Sequence, residues 1–266
     1  MGERVQDRAT AAPGRAAMMA DRLIPALFDD PAHPLAASLA GWIAASPRFA
    51  AFVAAHGAKI RKKVRGARDP EACEDFRFEL AIAEALHRER HCAVAYEPRV
   101  LGQGRTPDFT LTYRESTILN LEVTRMRPAR PAADEDRPER AAGDAAPPHP
   151  GDGRLVALVC GKLGQLVPNM TNVLVAGVAG DVLRELELPA AMRRLQQRAE
   201  RGEPALFARH GFRDPADFFK QYRRLSGLVL RPWPPPEPAQ SPALWANGQA
   251  THPIPTRVRA LLERSM

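Results

Sequence analysis

Apolar residues recur three and four positions apart through most of the first 90 residues, a spacing that places them on one face of a helix. After a loose, Ala- and Arg-rich tail, this spacing predicts helices near residues 23–27, over 34–45, from 47 into a basic run, and over 69–90. Ser46 stands directly before Pro47, and this pair is typical of a capped helix start. The amino-terminal third of the chain is therefore predicted to be helical.

The period of the pattern changes from helical spacing to alternation after residue 92. Strands are predicted over residues 93–101, 108–113 and 118–126, with turns at 102–104 and 114–116. Alternate residues of a strand point to the same face of its sheet. One face of the second and third strands is therefore polar, and it carries Asp108, Thr110, Thr112, Asn120, Glu122 and Thr124.

Residues 128–153 lack apolar anchors and carry charges of both signs, so we predict a flexible insertion without secondary structure. The pattern then predicts a helix over 154–167, a buried strand over 172–178, and helices over 183–202 and 215–224. It ends with a strand over 226–230, an extended proline-rich loop over 232–238 and a helix over 256–263. Strands interleaved with helices indicate an α/β protein.

The charge balance is basic, since 38 Lys and Arg outnumber 31 Asp and Glu and give a formal net charge of +7. Such a charge favours anionic partners, and nucleic acid is the partner that we expect. The densest cationic segment is residues 59–68, so the candidate phosphate-binding residues are Lys59, Arg61, Lys62, Lys63 and Arg65. The alternative is a solvated helix end whose cations complement the helix dipole.

Cysteine usage and hydropathy bear on where the protein works. Cys73, Cys92 and Cys160 are odd in number and far apart, which favours a reducing, cytoplasmic setting. No apolar run approaches the roughly 18 residues that span a bilayer, and the amino terminus lacks the apolar core of a secretory signal. We therefore expect no membrane association. The sequence leaves the oligomeric state open, a homodimer included.

Three carboxylates are candidate site residues because of where the predicted elements place them. Asp108 and Glu122 lie on neighbouring predicted strands, and two carboxylates so placed can hold a hard divalent cation. Glu79 lies on the apolar stripe of the helix over 69–90, where an unpaired carboxylate is rare. The alternative for Glu79 is a salt bridge to an arginine such as Arg99 or Arg105. Glu84 is rotated away from that stripe and is predicted to be solvated.

Two histidines near the end of the same predicted helix have a spacing seen in zinc sites. His87 and His91 are four residues apart, but the intervening residues do not form an H-E-x-x-H pattern. Surface histidines at a frayed helix end are the favoured interpretation.

The order helix, strand, strand, strand, helix, strand, with Pro107-Asp108 and Glu122-Val123-Thr124, resembles the PD-(D/E)xK phosphodiesterase superfamily. The resemblance covers about residues 75–178, and KLGQL, NVLVAGV and LWANGQATHPIP look like segments of bacterial proteins with this core. It implies a restriction-endonuclease-like core over 69–182, which is a mixed sheet flanked by helices. It also implies an amino-terminal helical region over 1–68 and a carboxy-terminal addition over 183–266. It further implies a nuclease that uses Mg²⁺ or Mn²⁺, with Asp108, Glu122 and the Val123 carbonyl as ligands and Glu79 as a further one.

The sequence departs from the family pattern at residue 124, where the family has a lysine and this chain has Thr124. Loss of one preorganised charge can cost about 10²–10³ in rate. Lys162, on the following predicted helix, could supply the missing ammonium, and Gln165 could position a water molecule. The candidate catalytic residues are therefore Glu79, Asp108, Glu122, Thr124, Lys162 and Gln165.

Three functions remain compatible with the sequence. The first is a metal-dependent nuclease acting on DNA or RNA. The second is a non-catalytic nucleic-acid-binding protein on the same fold, which the absence of a lysine at residue 124 and the basic run favour. The third is a structural or partner-binding protein, in which Asp108 is a turn residue and Glu122 forms a salt bridge.

Overall fold

A computed structural model describes residues 13–98, 106–128, 150–235 and 239–266. The chain divides into two compact units, Met1–Arg88 and Glu89–Met266. The sequence grouped the helix over 69–90 with the strands, whereas the division of the structure groups it with the helices before it. No described helix combines the length and the apolar character that crossing a bilayer requires.

The described part of the first unit is helical, as predicted. Its elements are α1 (Pro13–Leu27), α2 (Ala36–Ala45), α3 (Pro47–Gly66) and α4 (Pro70–Arg88). Ser46 accepts a hydrogen bond from the Phe49 amide at 3.2 Å, which confirms the predicted capped start of α3. Ile43, Phe49 and Val53 are fully buried and supply part of the core of this unit.

Helix α4 is buried on more than the one predicted face, and two predictions about it need correction. Glu84 is 4% exposed and forms an ion pair with Arg88, so its predicted solvation is wrong. His87 is half-buried, with its ring centroid 4.7 Å from that of Phe52, and only His91, beyond the end of the helix, is exposed as predicted. Burial lowers the pKa of His87, whose Nδ1 lies 2.8 Å from the Ala83 carbonyl oxygen.

The second unit is built on a six-stranded mixed sheet in the order β1-β2-β3-β4-β5-β6. Its strands are β1 (Cys92–Tyr96), β2 (Phe109–Tyr113), β3 (Thr117–Arg125), β4 (Asn172–Val178), β5 (Leu225–Pro232) and β6 (Ala243–Ala246). The first three strands and the β5-β6 pair are antiparallel, whereas β3, β4 and β5 run parallel. The parallel pairs require crossover connections, and helices supply them.

The helices of this unit are α5 (Pro150–Leu163), α6 (Gly180–Glu185), α7 (Leu188–Glu200), α8 (Pro204–His210), α9 (Pro215–Tyr222) and α10 (Thr256–Ser265). Side chains from α5 to α9 form one apolar core with Leu174 and Ala176 of β4 and with Leu228 and Leu230 of β5. These helices therefore flank one face of the sheet. The structure confirms the predicted mixed α/β class at this level.

Several predicted boundaries in the second unit were wrong. Residues 150–153 form the first turn of α5, although they were assigned to the flexible insertion, and residues 129–149 lie outside the described part. The helical segment predicted over 183–202 is two helices, α6 and α7, and Pro189 stands in the first turn of α7, where proline needs no amide partner. Pro232 ends β5 and does not open a loop. The short elements α8 and β6 were not predicted.

The register of β2 and β3 is fixed by a tight turn and a polar pair. Three residues connect the strands, since Tyr113 pairs with Thr117, and the first two of them, Arg114 and Glu115, have left-handed φ values of 49° and 64°. Thr110 lies opposite Asn120 and donates a hydrogen bond of 2.7 Å to its side-chain oxygen. The predicted polar face of these two strands is therefore present.

A Gly227→Ala substitution in β5 is expected to lower the free energy of unfolding by about 1–3 kcal/mol, because it overpacks a filled space. A Cβ atom at Gly227 would lie 2.5 Å from Ile254 Cδ1 and 2.8 Å from the Trp245 carbonyl oxygen. Urea unfolding measures the change. Gly161→Ala in α5 is the control, because its Cβ would meet nothing within 4 Å and alanine favours the helix. Equal effects of the two substitutions would contradict the packing argument.

Candidate functional site

Glu122 is a buried carboxylate in the middle of the sheet, on the face that α5 covers. It lies in β3 opposite Leu174 of β4, and its side chain is 7% exposed. Its Oε2 atom is 3.8 Å from Nζ of Lys162, a residue in the last turn of α5. A cation beside a buried carboxylate offsets part of the cost of burying it, and Lys162 supplies such a cation.

Lys162 has two polar neighbours at this position. Its Nζ atom donates a hydrogen bond of 3.0 Å to Oε1 of Gln165, which follows the end of α5. A turn holds the two residues together, since the Gln165 amide donates to the Lys162 carbonyl at 2.8 Å. The ammonium group is thus placed between the Glu122 carboxylate and the Gln165 amide oxygen. The structure brings together these three candidate residues from two elements.

Asp108 joins the same region from the start of β2. Phe109 pairs with Leu121, so the residue before β2 stands beside Glu122 in the register. The Asp108 Oδ2 atom accepts a hydrogen bond of 2.7 Å from the Val123 amide. This bond fixes one oxygen of the carboxylate against the β3 backbone, one residue after Glu122.

The same geometry determines where the Val123 carbonyl points. In an extended strand, the amide and the carbonyl of one residue face the same neighbouring strand. The Val123 amide faces Asp108, so its carbonyl also faces the β2 side. Continuing the register places Pro107 opposite Val123, and proline has no amide hydrogen to donate to that carbonyl. Pro107 therefore cannot form the usual ladder bond to the oxygen of Val123.

Glu79 has a different partner, in the first unit. Its Oε1 atom lies 2.7 Å from Nζ of Lys63 on α3, and the same ammonium is 5.6 Å from the Phe76 ring centroid. The expected alternative of a salt bridge is therefore realised, but with Lys63. Arg99 and Arg105 lie outside the described residues.

Most of the predicted phosphate-binding residues on α3 contact carboxylates. Arg61 and Arg65 both bind Asp29, at 2.7 and 2.9 Å, and they lower the pKa of Asp29 to about 2. Lys63 binds Glu79, whereas Lys59 and Lys62 are exposed. A phosphate would have to displace three existing ion pairs, so this surface favours the alternative of a solvated helix end.

A groove of about 480 Å³ lies beside Lys162. One wall is the end of β3 and the residues after it, and the other is the open side of α5. The lining residues are Thr124, Arg125, Met126, Arg127, Pro128, Arg154, Ala157, Leu158, Gly161 and Lys162. Arg154 was not among the candidate residues, because the sequence predicted it only as the first residue of the helix that follows the flexible insertion. The available signal was its position eight residues before Lys162, on the same helix face.

The donor atoms at Asp108 and Glu122 suit a magnesium or manganese ion. Both prefer oxygen ligands, and Mg²⁺ commonly binds through only one or two carboxylates together with water and substrate phosphates. Asp108, Glu122 and the Val123 carbonyl are the oxygen donors here that would form such a set. No group of three or more His, Cys, Asp or Glu side chains within the described ranges is arranged to hold a metal ion. The fit therefore depends on two carboxylates, with the remaining ligands coming from solvent and substrate.

Comparison of the chain with protein-family models, with curated proteins and with solved structures found no match. The fold class that the structure establishes is a mixed α/β protein with a six-stranded mixed sheet flanked by helices. Any functional assignment therefore rests on the geometry of the site itself.

Proposed function

We propose that the protein is a metal-dependent nuclease that hydrolyses phosphodiester bonds in DNA or RNA. The observation that carries the proposal is the placement of Lys162 at 3.8 Å from Glu122, beside a groove that contains further cations. The sequence lacks a lysine at residue 124, and an ammonium group from α5 stands at the carboxylate instead. This arrangement brings a carboxylate of β3 and an ammonium group of α5 close together.

The element order α4-β1-β2-β3-α5-β4 supports a restriction-endonuclease-like core. Strands β1, β2 and β3 form antiparallel pairs, and the crossover helix α5 leads to β4, which runs parallel to β3. Asp108 lies where β2 begins and Glu122 in the middle of β3, and these are the positions that the resemblance implies for the motif.

Each residue of the site has a proposed role. Asp108, Glu122 and the Val123 carbonyl would hold Mg²⁺ or Mn²⁺, which lowers the pKa of bound water and neutralises charge on the phosphate. Lys162 places a positive charge where the phosphoryl oxygens gain negative charge, and it does so from a partly desolvated position. Gln165 holds the Lys162 ammonium through its amide oxygen. Thr124 lines the groove and leaves room for substrate.

Cleavage assays with the full chain test the proposal. Single-stranded and double-stranded DNA and RNA are incubated with Mg²⁺, with Mn²⁺ and with EDTA. We expect products in the presence of either metal and none in EDTA. Absence of cleavage of all four substrates, together with no heat of Mn²⁺ binding by calorimetry, would rule the nuclease out.

One observation favours the second candidate, a non-catalytic nucleic-acid-binding protein on the same scaffold. The Asp108 carboxylate already accepts the Val123 amide at 2.7 Å, which is a structural use of that side chain. If this is its only role, the protein will bind nucleic acid with strong salt dependence but show no metal-dependent cleavage. A structural role alone predicts neither binding nor cleavage.

A further inference from the structure

The open side of α5 carries a regular arrangement of side chains toward the groove. Four groove residues follow Arg154 at spacings of three, four, seven and eight positions, so all five share one helix face. These four are Ala157, Leu158, Gly161 and Lys162. The two cations stand at the ends of this face, and small or apolar residues lie between them. At about 1.5 Å per residue, Arg154 and Lys162 are separated by about 12 Å along the helix axis.

The opposite wall of the groove is also apolar at its centre. Met126 is 8% exposed and packs in the core of this unit, and Pro128 follows two residues later. Arg154 is held toward this wall, since its Nη1 atom donates to the Arg127 carbonyl at 3.4 Å. The groove therefore has an apolar floor with Arg154 and Lys162 at its two ends, and Arg125 and Arg127 add positive charge on the wall opposite α5.

We propose that this groove binds one single strand of nucleic acid, with Arg154 and Lys162 each contacting a phosphate. The inference rests on the proposed nuclease function and names its substrate as single-stranded. A strand carries a phosphate every ~3.4 Å along the axis of a stacked helix, so ~12 Å spans about three phosphates. Unpaired bases expose apolar faces, and the floor between the two cations offers apolar surface to them.

The apolar residues between Arg154 and Lys162 favour a single strand over an intact duplex at this site. The phosphates of a duplex lie on its outside and could meet the same two cations, but its paired bases are stacked inside the helix and cannot reach the apolar surface between them. A single strand can offer both its phosphates and the faces of its unpaired bases.

Binding measured in EDTA tests the inference separately from cleavage. The probes are fluorescently labelled 12-nucleotide single strands of DNA and of RNA, and blunt duplexes of the same length, titrated with the full chain at several salt concentrations. We expect a single strand to bind at least about tenfold more tightly than the duplex. Comparison of the DNA and RNA arms identifies the preferred sugar.

Arg154→Ala is expected to weaken single-strand binding about fivefold or more and to reduce the salt slope by about 0.7, the value for one phosphate contact. Arg193→Ala is the matched control, because Arg193 is an exposed helical arginine on α7 that does not line the groove. Urea unfolding of both variants shows whether each one folds. Duplex binding as tight as single-strand binding, or equal effects of the two substitutions, would overturn the inference.

The two proposals fail in different ways. Single-strand binding that depends on Arg154, without any cleavage in Mg²⁺ or Mn²⁺, would support single-strand binding in the groove and rule out the nuclease. Metal-dependent cleavage that prefers duplex and is unaffected by Arg154→Ala would support the nuclease and rule out single-strand binding in the groove. Absence of both binding and cleavage would rule out both proposals.

Discussion

Glu122→Gln is expected to reduce metal-dependent cleavage about 10³-fold, because it removes the charge of a buried carboxylate that the proposed metal site requires. Glutamine has the same shape as glutamate, so the packing around residue 122 should change little. Its amide retains one neutral oxygen, which is a weaker ligand for a hard cation. Initial rates of cleavage in Mg²⁺ measure the effect directly.

A thermal readout separates this loss from simple unfolding. Ligands that bind only the folded state raise the melting temperature, so Mn²⁺ should raise that of the wild-type protein. The Glu122→Gln variant should fold but lose the Mn²⁺-dependent rise. Glu263→Gln is the control, because Glu263 is an exposed residue of α10, and it should retain both cleavage and the metal-dependent rise. A Glu122→Gln variant that cleaves at the wild-type rate would show that Glu122 is not a metal ligand.

The strands around the site were accessible to sequence reasoning because local pattern determines them. Alternation placed Asn120 and Glu122 on one polar face, and the turn at Arg114 and Glu115 set the hairpin. Lys162 and Gln165 were identified because helical spacing places both near the end of the crossover helix. Each of these inferences needs only residues that are neighbours along one element.

Long-range partners were not accessible to the same reasoning. The carboxylate of Glu79 binds Lys63, 16 residues away on another helix, and the sequence offered several equally plausible cations. Glu84 was assigned to solvent because a helical pattern was assumed to bury one face, but α4 buries nine residues, seven of them consecutive from Leu80 to Leu86. Four-residue β6 has no fully buried position and so lacks an alternating pattern to detect.

Lys162→Met is expected to reduce cleavage about 10²–10³-fold, since it removes one preorganised charge from the site. Methionine keeps an unbranched side chain of similar length, so the packing of α5 should change little. Metal affinity should not fall, because the substitution removes a cation that stands 3.8 Å from the Glu122 carboxylate. Calorimetry with Mn²⁺ measures the metal affinity, which should not fall, and initial rates measure the expected loss of cleavage.

A second substitution tests whether Lys162 supplies the ammonium group that the family pattern places at residue 124 of β3. Thr124 lies two residues after Glu122, so the two side chains share a face and their positions are about 6.6 Å apart along β3. Thr124 also lines the same groove as Lys162. A lysine at residue 124 can therefore extend into the region that the Lys162 ammonium occupies.

Thr124→Lys in the Lys162→Met background is expected to restore cleavage at least about tenfold over Lys162→Met alone. Restoration would show that the site needs an ammonium group and accepts it from either element. Thr112→Lys in the same background is the control and should not restore cleavage. Thr112 is in β2, on the same face of the sheet as Thr124, but it does not line the groove. If Lys162→Met cleaves at the wild-type rate, the ion pair with Glu122 is structural and the charge that assists cleavage comes from another residue.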